Sequence, residues 1–255
     1  MKVGIFDSGL GGLTVLKAIR NRYDSVDIVY LGDTARVPYG TKSADTVIRY
    51  SVECSNFLTE KGVDLLVVAC NTASSYALGK LKSELEIPVV GVVEPGVRKA
   101  IKISKNGKIG VIGTTATINS GTYQKMIKKA GRESIAKACP LFVPLVEEGL
   151  TEGEIAEAVV RYYLEDIKDS GIDTLILGCT HYPLLRKTIS EYLNGINIVD
   201  SADAVAESIS GFIENIGNSN TELYFTDVSQ NLESMVKRIL GNDSFISVVG
   251  TLCSL

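Results

Sequence analysis

The chain has a single histidine, His181, among 255 residues, and its five cysteines (Cys54, Cys70, Cys139, Cys179 and Cys253) form no C-x-x-C pair. Neither a zinc knuckle nor a secreted disulfide framework fits that inventory. Positive charge is also short. Lys and Arg number 26 against 30 Asp and Glu, a net charge of −4. With no basic surplus to neutralise a phosphate backbone, nucleic acid is a poor expected partner. No apolar run approaches the length of a membrane span. The opening MKVGIFDSG places Asp7 where the apolar part of a signal peptide would lie. The expectation is a cytoplasmic protein without a membrane partner, its thiols reduced. A hydrophobic content of 45% rules out disorder.

What is present is alternation. Short β-rich runs at 3–7, 27–33, 64–70, 88–94, 108–113, 173–179, 196–200, 222–227 and 245–249 read as strands. Between them lie stretches at helical spacing, such as 13–23, 47–62 and 154–171. Near-continuous Val/Ile/Leu strands separated by helices mean parallel sheets covered on both faces, an α/β fold. The chain also resembles itself. IDTLILGCTHYP (172–183) aligns with VDLLVVACNTAS (63–74), and INIVD (196–200) with IPVVG (87–91), both 109 residues apart. KIGVIGTT (108–115) answers KVGIFDSG (2–9) at an offset of 106. Two similar halves are therefore expected, one starting at Lys2 and one near Lys108, with no counterpart for residues after about 205.

The repeat puts Cys70 and Cys179 at equivalent places, each at the carboxyl end of a buried strand, where open parallel sheets bind ligands. Two facing halves would then present one thiol each from opposite sides of a shared cleft. Inverting a carbon acid centre needs a base on one face and an acid on the other. A thiol, with an ordinary pKa of about 8.5, suits both tasks. Polar groups that help form the thiolate belong nearby. Candidates are His181 beside Cys179, Asp7 and Ser8 at the end of a strand expected to neighbour the Cys70 strand, and Glu147 and Glu148. The glutamates are expected to open a large helical segment after a turn at 139–144.

Ordinary explanations exist for each residue alone. A single cysteine at a strand end is usually a small core residue, but a matched pair in a repeat reverses that weighting. Asp7 or Ser8 could cap a helix, Glu147 and Glu148 could be solvated charges, and Pro38-Tyr39-Gly40 could be only a turn. Cys54, Cys139 and Cys253 are taken as structural or incidental. The glycine run of Asp7–Leu13 has Thr14 where G-x-G-x-x-G requires its last glycine, and it lacks the G-K-[ST] of a P-loop. Its glycines would let the backbone approach a small anion at a helix N-terminus. A cysteine-phosphatase arginine is also missing: Leu185 holds its place after Cys179, with Arg186 one residue late.

The segments FDSGLGGL (6–13), GDTARVPYG (32–40), ACNTAS (69–74), GVVEPG (91–96), PLVEEG (144–149) and LGCTHYPLL (177–185) closely resemble glutamate racemases of the aspartate/glutamate racemase family. The resemblance implies interconversion of L- and D-glutamate without pyridoxal phosphate or metal, supplying D-glutamate for peptidoglycan. It implies that Cys70 takes the proton from D-glutamate and Cys179 takes it from the L form. Asp7, Ser8, Pro38, Tyr39, Gly40, Asn71, Thr72, Thr180 and His181 match substrate-binding positions. Thr114 and Thr117 match carboxylate contacts, and Asp7, Glu147 and His181 match groups that assist the thiols. The implied fold is two pseudo-symmetric flavodoxin-like domains, 1–97 plus 205–255 carrying Cys70, and 98–204 carrying Cys179, with the active site in the interdomain cleft. The resemblance admits a homodimer. Two rivals are carried with it: an aspartate racemase, in which glutamate usually stands where His181 does, and a non-catalytic module that binds an acidic amino acid.

Overall fold

In the computed structural model of the chain, residues 1–213, 219–228, 232–241 and 246–249 are described. The strands, in chain order, are β1 (Lys2–Asp7), β2 (Asp27–Gly32), β3 (Leu65–Val68), β4 (Val89–Gly91), β5 (Lys108–Gly113), β6 (Glu133–Ala138), β7 (Thr174–Gly178), β8 (Asn197–Asp200), β9 (Thr221–Phe225) and β10 (Ile246–Val248). They form two sheets in which every pairing is parallel, ordered β10-β9-β2-β1-β3-β4 and β6-β5-β7-β8. The order β2-β1-β3-β4 in one sheet repeats as β6-β5-β7-β8 in the other, which is the pseudo-symmetry that the internal repeat predicts.

The central strands are apolar along their whole length because helices cover both faces. β3 (LLVV) and β7 (TLILG) are buried at every position. The thiols sit just past these strands, which end at Val68 and Gly178. The predicted helices appear as Leu13–Arg22, Ala44–Glu60 and Glu154–Lys168. The last of these has one buried stripe (Ala156, Val160, Tyr163, Leu164, Ile167), the spacing of an amphipathic helix on a sheet. No described helix is long and apolar enough to cross a membrane.

The edge strand β6, the Glu147–Glu148 pair and the stretch 139–144 differ from the sequence expectation. β6 has no apolar run to announce it. Its sequence ESIAKA is at most half-buried throughout, because it is an edge strand that pairs, among the described residues, only with β5. Glu147 and Glu148 close a short helix, Phe142–Glu147, rather than opening a long one. The stretch 139–144 is thus partly helical, since Pro144 falls in the first helical turn, where a missing N–H costs nothing. After the second sheet is complete, the chain returns to the first. β9 pairs with the outer side of β2, and β10 with β9. Cys253 lies outside the described residues.

Candidate active site

In each sheet the chain steps one way from its first strand and then crosses back, which puts a switch point between β1 and β3 and between β5 and β7. Parallel sheets open a crevice there, beyond the carboxyl ends of the strands. From β1 come Asp7 and Ser8, from β3 Cys70, Asn71 and Thr72, from β5 Thr114 and Thr117, and from β7 Cys179, Thr180 and His181. These groups converge on one cavity. Ser8, Pro38, Tyr39, Gly40, Cys70, Asn71, Thr72, Thr114, Thr117, Cys179, Thr180 and His181 all line it, together with Val37, Val143 and Gly178. Of the candidate residues named from sequence, Asp7, Glu147 and Glu148 are not among those that line it. The cavity measures about 20 Å³, space for one or two waters.

The two thiols have different neighbours. Cys70 caps the helix Asn71–Tyr76, its sulfur accepting from the Ala73 N–H at 3.5 Å. Burial pushes its thiol up to about 12, and the nearby Asp7 carboxylate adds to the rise; the Ser8 hydroxyl and the Ala73 N–H offset part of it. Asp7 is itself fully buried, and burial raises its pKa, against the lowering effects of His181 and of N–H groups in the loop after β1. Its carboxylate accepts from the Gly9 N–H at 2.9 Å and from the Thr180 hydroxyl at 3.3 Å. The helix Leu13–Arg22 has no side-chain cap, so Asp7 serves the turn and the opposing half rather than that helix.

Cys179 lies 3.9 Å from Nδ1 of His181. The other ring nitrogen, Nε2, is 3.3 Å from Glu147, close enough for an ion pair but not aligned as a hydrogen bond. Burial opposes charge on His181, yet the Cys179 sulfur and the Glu147 carboxylate together outweigh it and lift the imidazole to about 10. His181 is therefore the group beside Cys179 able to hold a proton at neutral pH.

In the same lining, Thr72, Thr114 and Thr117 bring three hydroxyls within 2.9–3.0 Å of one another. Such a cluster can turn donors toward a carboxylate. Tyr39 lines the cavity, and its hydroxyl is bonded to Asp33. Asp33 also pairs with Arg36 at 2.7 Å, and Arg36 reaches Glu53. This buried cluster anchors the loop that carries Pro38 and Gly40. Cys54 sits against it, 3.6 Å from Arg36, while Cys139 contacts the Lys137 carbonyl at 3.8 Å. Neither thiol lines the cavity.

The glycine run after β1 serves a purpose that its sequence does not reveal. A Cβ on Gly11 would lie 2.4 Å from the Thr180 hydroxyl and 2.5 Å from Nδ1 of His181; one on Gly40 would lie 2.6 Å from Cβ of Thr114. Both glycines leave room for side chains of the opposite half. Sequence reasoning also passed over Tyr123 and Ser201, which stand behind Asn71. Tyr123 lies in an amphipathic helix, Thr122–Lys129, where an aromatic reads as core. Among the described residues, no group of three His, Cys, Asp or Glu could hold a metal.

Comparison with known proteins places this geometry in context. Residues 13–209 match the family model described as Asp/Glu/Hydantoin racemase. The glutamate racemase of Aquifex pyrophilus is 63% identical over 243 residues, 95% of each chain. Its solved structure superposes with a TM-score of 0.87 at 61% identity, covering 97% of this chain and 98% of that one. The structure of Francisella tularensis glutamate racemase in complex with D-glutamate matches with a TM-score of 0.90 at 32% identity, covering 98% and 97%.

Proposed function

We infer the function from the premise that the chain belongs to the Asp/Glu/Hydantoin racemase family. It is a glutamate racemase, an isomerase that interconverts L- and D-glutamate and supplies the D form for peptidoglycan. Its setting is the cytoplasm. Residues 1–97 with 205–255 and residues 98–204 are its two units, and the substrate binds between them. The observation that carries the reading is one cavity lined by Cys70 from one sheet and Cys179 from the other. Binding an amino acid needs no thiol. Exchanging its α-proton on two faces needs two groups that can each give and take one.

In the L to D direction, Cys179 takes the α-proton from one face and Cys70 delivers its own to the other. The resting electrostatics favour this sequence. Burial and Asp7 keep Cys70 protonated as the acid, while His181, steadied by Glu147, holds the proton that Cys179 must surrender. In the D to L direction Cys70 is the base, and Asp7, its own pKa raised by burial, receives the proton. The Thr72, Thr114 and Thr117 hydroxyls bind a carboxylate, with Ser8, Gly40 and Thr180 completing the polar lining. Closing the cavity excludes water and strengthens each of these interactions. The reaction runs without pyridoxal phosphate or metal, since the two thiols supply both acid and base.

The test is proton NMR of L-glutamate in deuterated water, paired with circular dichroism on glutamate and on aspartate. Loss of the α-proton signal together with loss of rotation is expected for glutamate. Binding without exchange, or faster turnover of aspartate, would refute the assignment. Cys70→Ala and Cys179→Ala should each abolish racemisation, and near-normal turnover by either variant would overturn the two-base scheme.

A further inference from the structure

A chain of four groups leads from the main chain of β7 to Asn71. It begins at the Leu177 carbonyl, which can only accept. The Ser201 hydroxyl lies 3.0 Å away and spends its one proton there. Toward the Tyr123 hydroxyl, at a longer 3.5 Å, Ser201 can therefore only accept. Tyr123 is fully buried, and burial pushes its phenol up to about 12, so it keeps its proton and points it at Ser201. The phenol oxygen then accepts from Asn71 Nδ2 at 2.7 Å. Each donor is used once, and the direction is set by the carbonyl at the far end.

This order decides which way the Asn71 amide faces. Its nitrogen is committed to Tyr123, and its oxygen Oδ1 is left buried with no hydrogen-bond partner among the described residues, on a residue that lines the cavity and is 2% exposed. A buried acceptor that the fold leaves unmet is completed by a ligand's donor. Of the polar groups on an acidic amino acid at neutral pH, only the ammonium donates. The three threonine hydroxyls lining the same cavity suit the carboxylate instead.

We propose that Tyr123 and Ser201 are positioning residues that fix the Asn71 amide so that its oxygen accepts from the substrate ammonium. The proposal rests on the function given above, and it makes Tyr123 a determinant of substrate discrimination although it touches no substrate. Asn71 follows β3 in the first sheet, whereas Tyr123, Ser201 and Leu177 follow or lie within the second, so the amide is oriented only while the two halves are together.

The experiment compares glutamate with glutarate, which keeps both carboxylates and lacks the ammonium. On the full chain, Tyr123→Phe should raise the KM for glutamate about tenfold, the loss expected for one hydrogen bond to a charged group. Inhibition by glutarate should stay within about twofold of wild type. Ser201→Ala should move the same ratio in the same direction by less, and it carries the test if Tyr123→Phe does not fold. In an Asn71→Ala background, Tyr123→Phe should leave the ratio unchanged. Equal weakening of both ligands would show a merely structural role and overturn the proposal. Greater weakening of glutarate would overturn it too, by showing that the amide N–H groups face a carboxylate. A wild-type chain that does not racemise glutamate refutes the function; one that does, with variants that fail to separate the two ligands, refutes only the positioning chain.

Discussion

Gly11→Ala adds a single methyl group where the two halves touch. Its Cβ would stand 2.4 Å from the Thr180 hydroxyl and 2.5 Å from Nδ1 of His181, so about 1 Å of separation must be recovered. Neither neighbour yields easily. The Thr180 hydroxyl is bonded to Asp7, and the His181 ring lies between Cys179 and Glu147. Overpacking of this kind costs about 1–3 kcal/mol, which for a chain of this size is a fall in Tm of about 2–10 °C. The effect on catalysis should be larger in proportion, because a displacement of about 1 Å at a reacting group costs about 100-fold in rate. The assay is initial-rate circular dichroism in both directions, with α-deuterated substrates alongside. The two enantiomers are equal in free energy, so kcat/KM must fall equally in both directions. The asymmetry appears elsewhere: the isotope effect should grow more for α-deuterated L-glutamate, whose proton goes to Cys179. Gly79→Ala is the control. Gly79 lies in the helix Leu78–Glu84 with open space around it, so kcat should hold and stability should rise by about 0.5–1 kcal/mol. Wild-type kcat in Gly11→Ala, or a loss matched by Gly79→Ala, would refute the steric argument.

Two further outcomes are expected. Glu147→Gln removes one of the two groups that hold His181 protonated near pH 10, so the alkaline limb of the kcat profile should move to lower pH by about one unit. An unmoved limb would separate Glu147 from the proton path. Asp200 caps the helix Ser201–Ser208, and burial raises its carboxyl to about 6 from an ordinary 3.8. Because its folded pKa exceeds the unfolded one, stability falls as pH rises from about 4 to about 6. Asp200→Asn keeps a capping acceptor and removes that cost. It should stabilise the chain by about 3 kcal/mol at pH 7 and converge on wild type at pH 4. Thermal melts across pH would expose any failure of that convergence.

Much of the architecture is legible in the sequence because buried parallel strands leave little choice of residue. LLVV and TLILG can hardly be anything else, and their shared register with the cysteines finds the cavity from both sides. β6 escapes notice because an edge strand is under no such demand, and only the second sheet's match to β2-β1-β3-β4 restores it. Within the site, residues that line the cavity carry sequence signals, since a thiol or an Asn-Thr pair after a core strand is conspicuous. Those that act through a neighbour carry none. Tyr123 looks like any core aromatic until its hydroxyl is placed 2.7 Å from Asn71. Gly11 is conspicuous, but its meaning is not: local sequence cannot say that the space beside it belongs to a histidine 170 positions later.

The return of the chain to its first sheet sets an order of events on the ribosome. β5 to β8 are one contiguous stretch, so the second sheet has all its strands once residue 200 has emerged. The first sheet, begun earlier, waits. The outer edge of β2 offers unpaired N–H and C=O groups until residues 221–225 arrive to cover it. Through that interval the nascent protein carries an open strand edge, the feature that invites pairing with a stranger. The half that is made first is the last to be sealed.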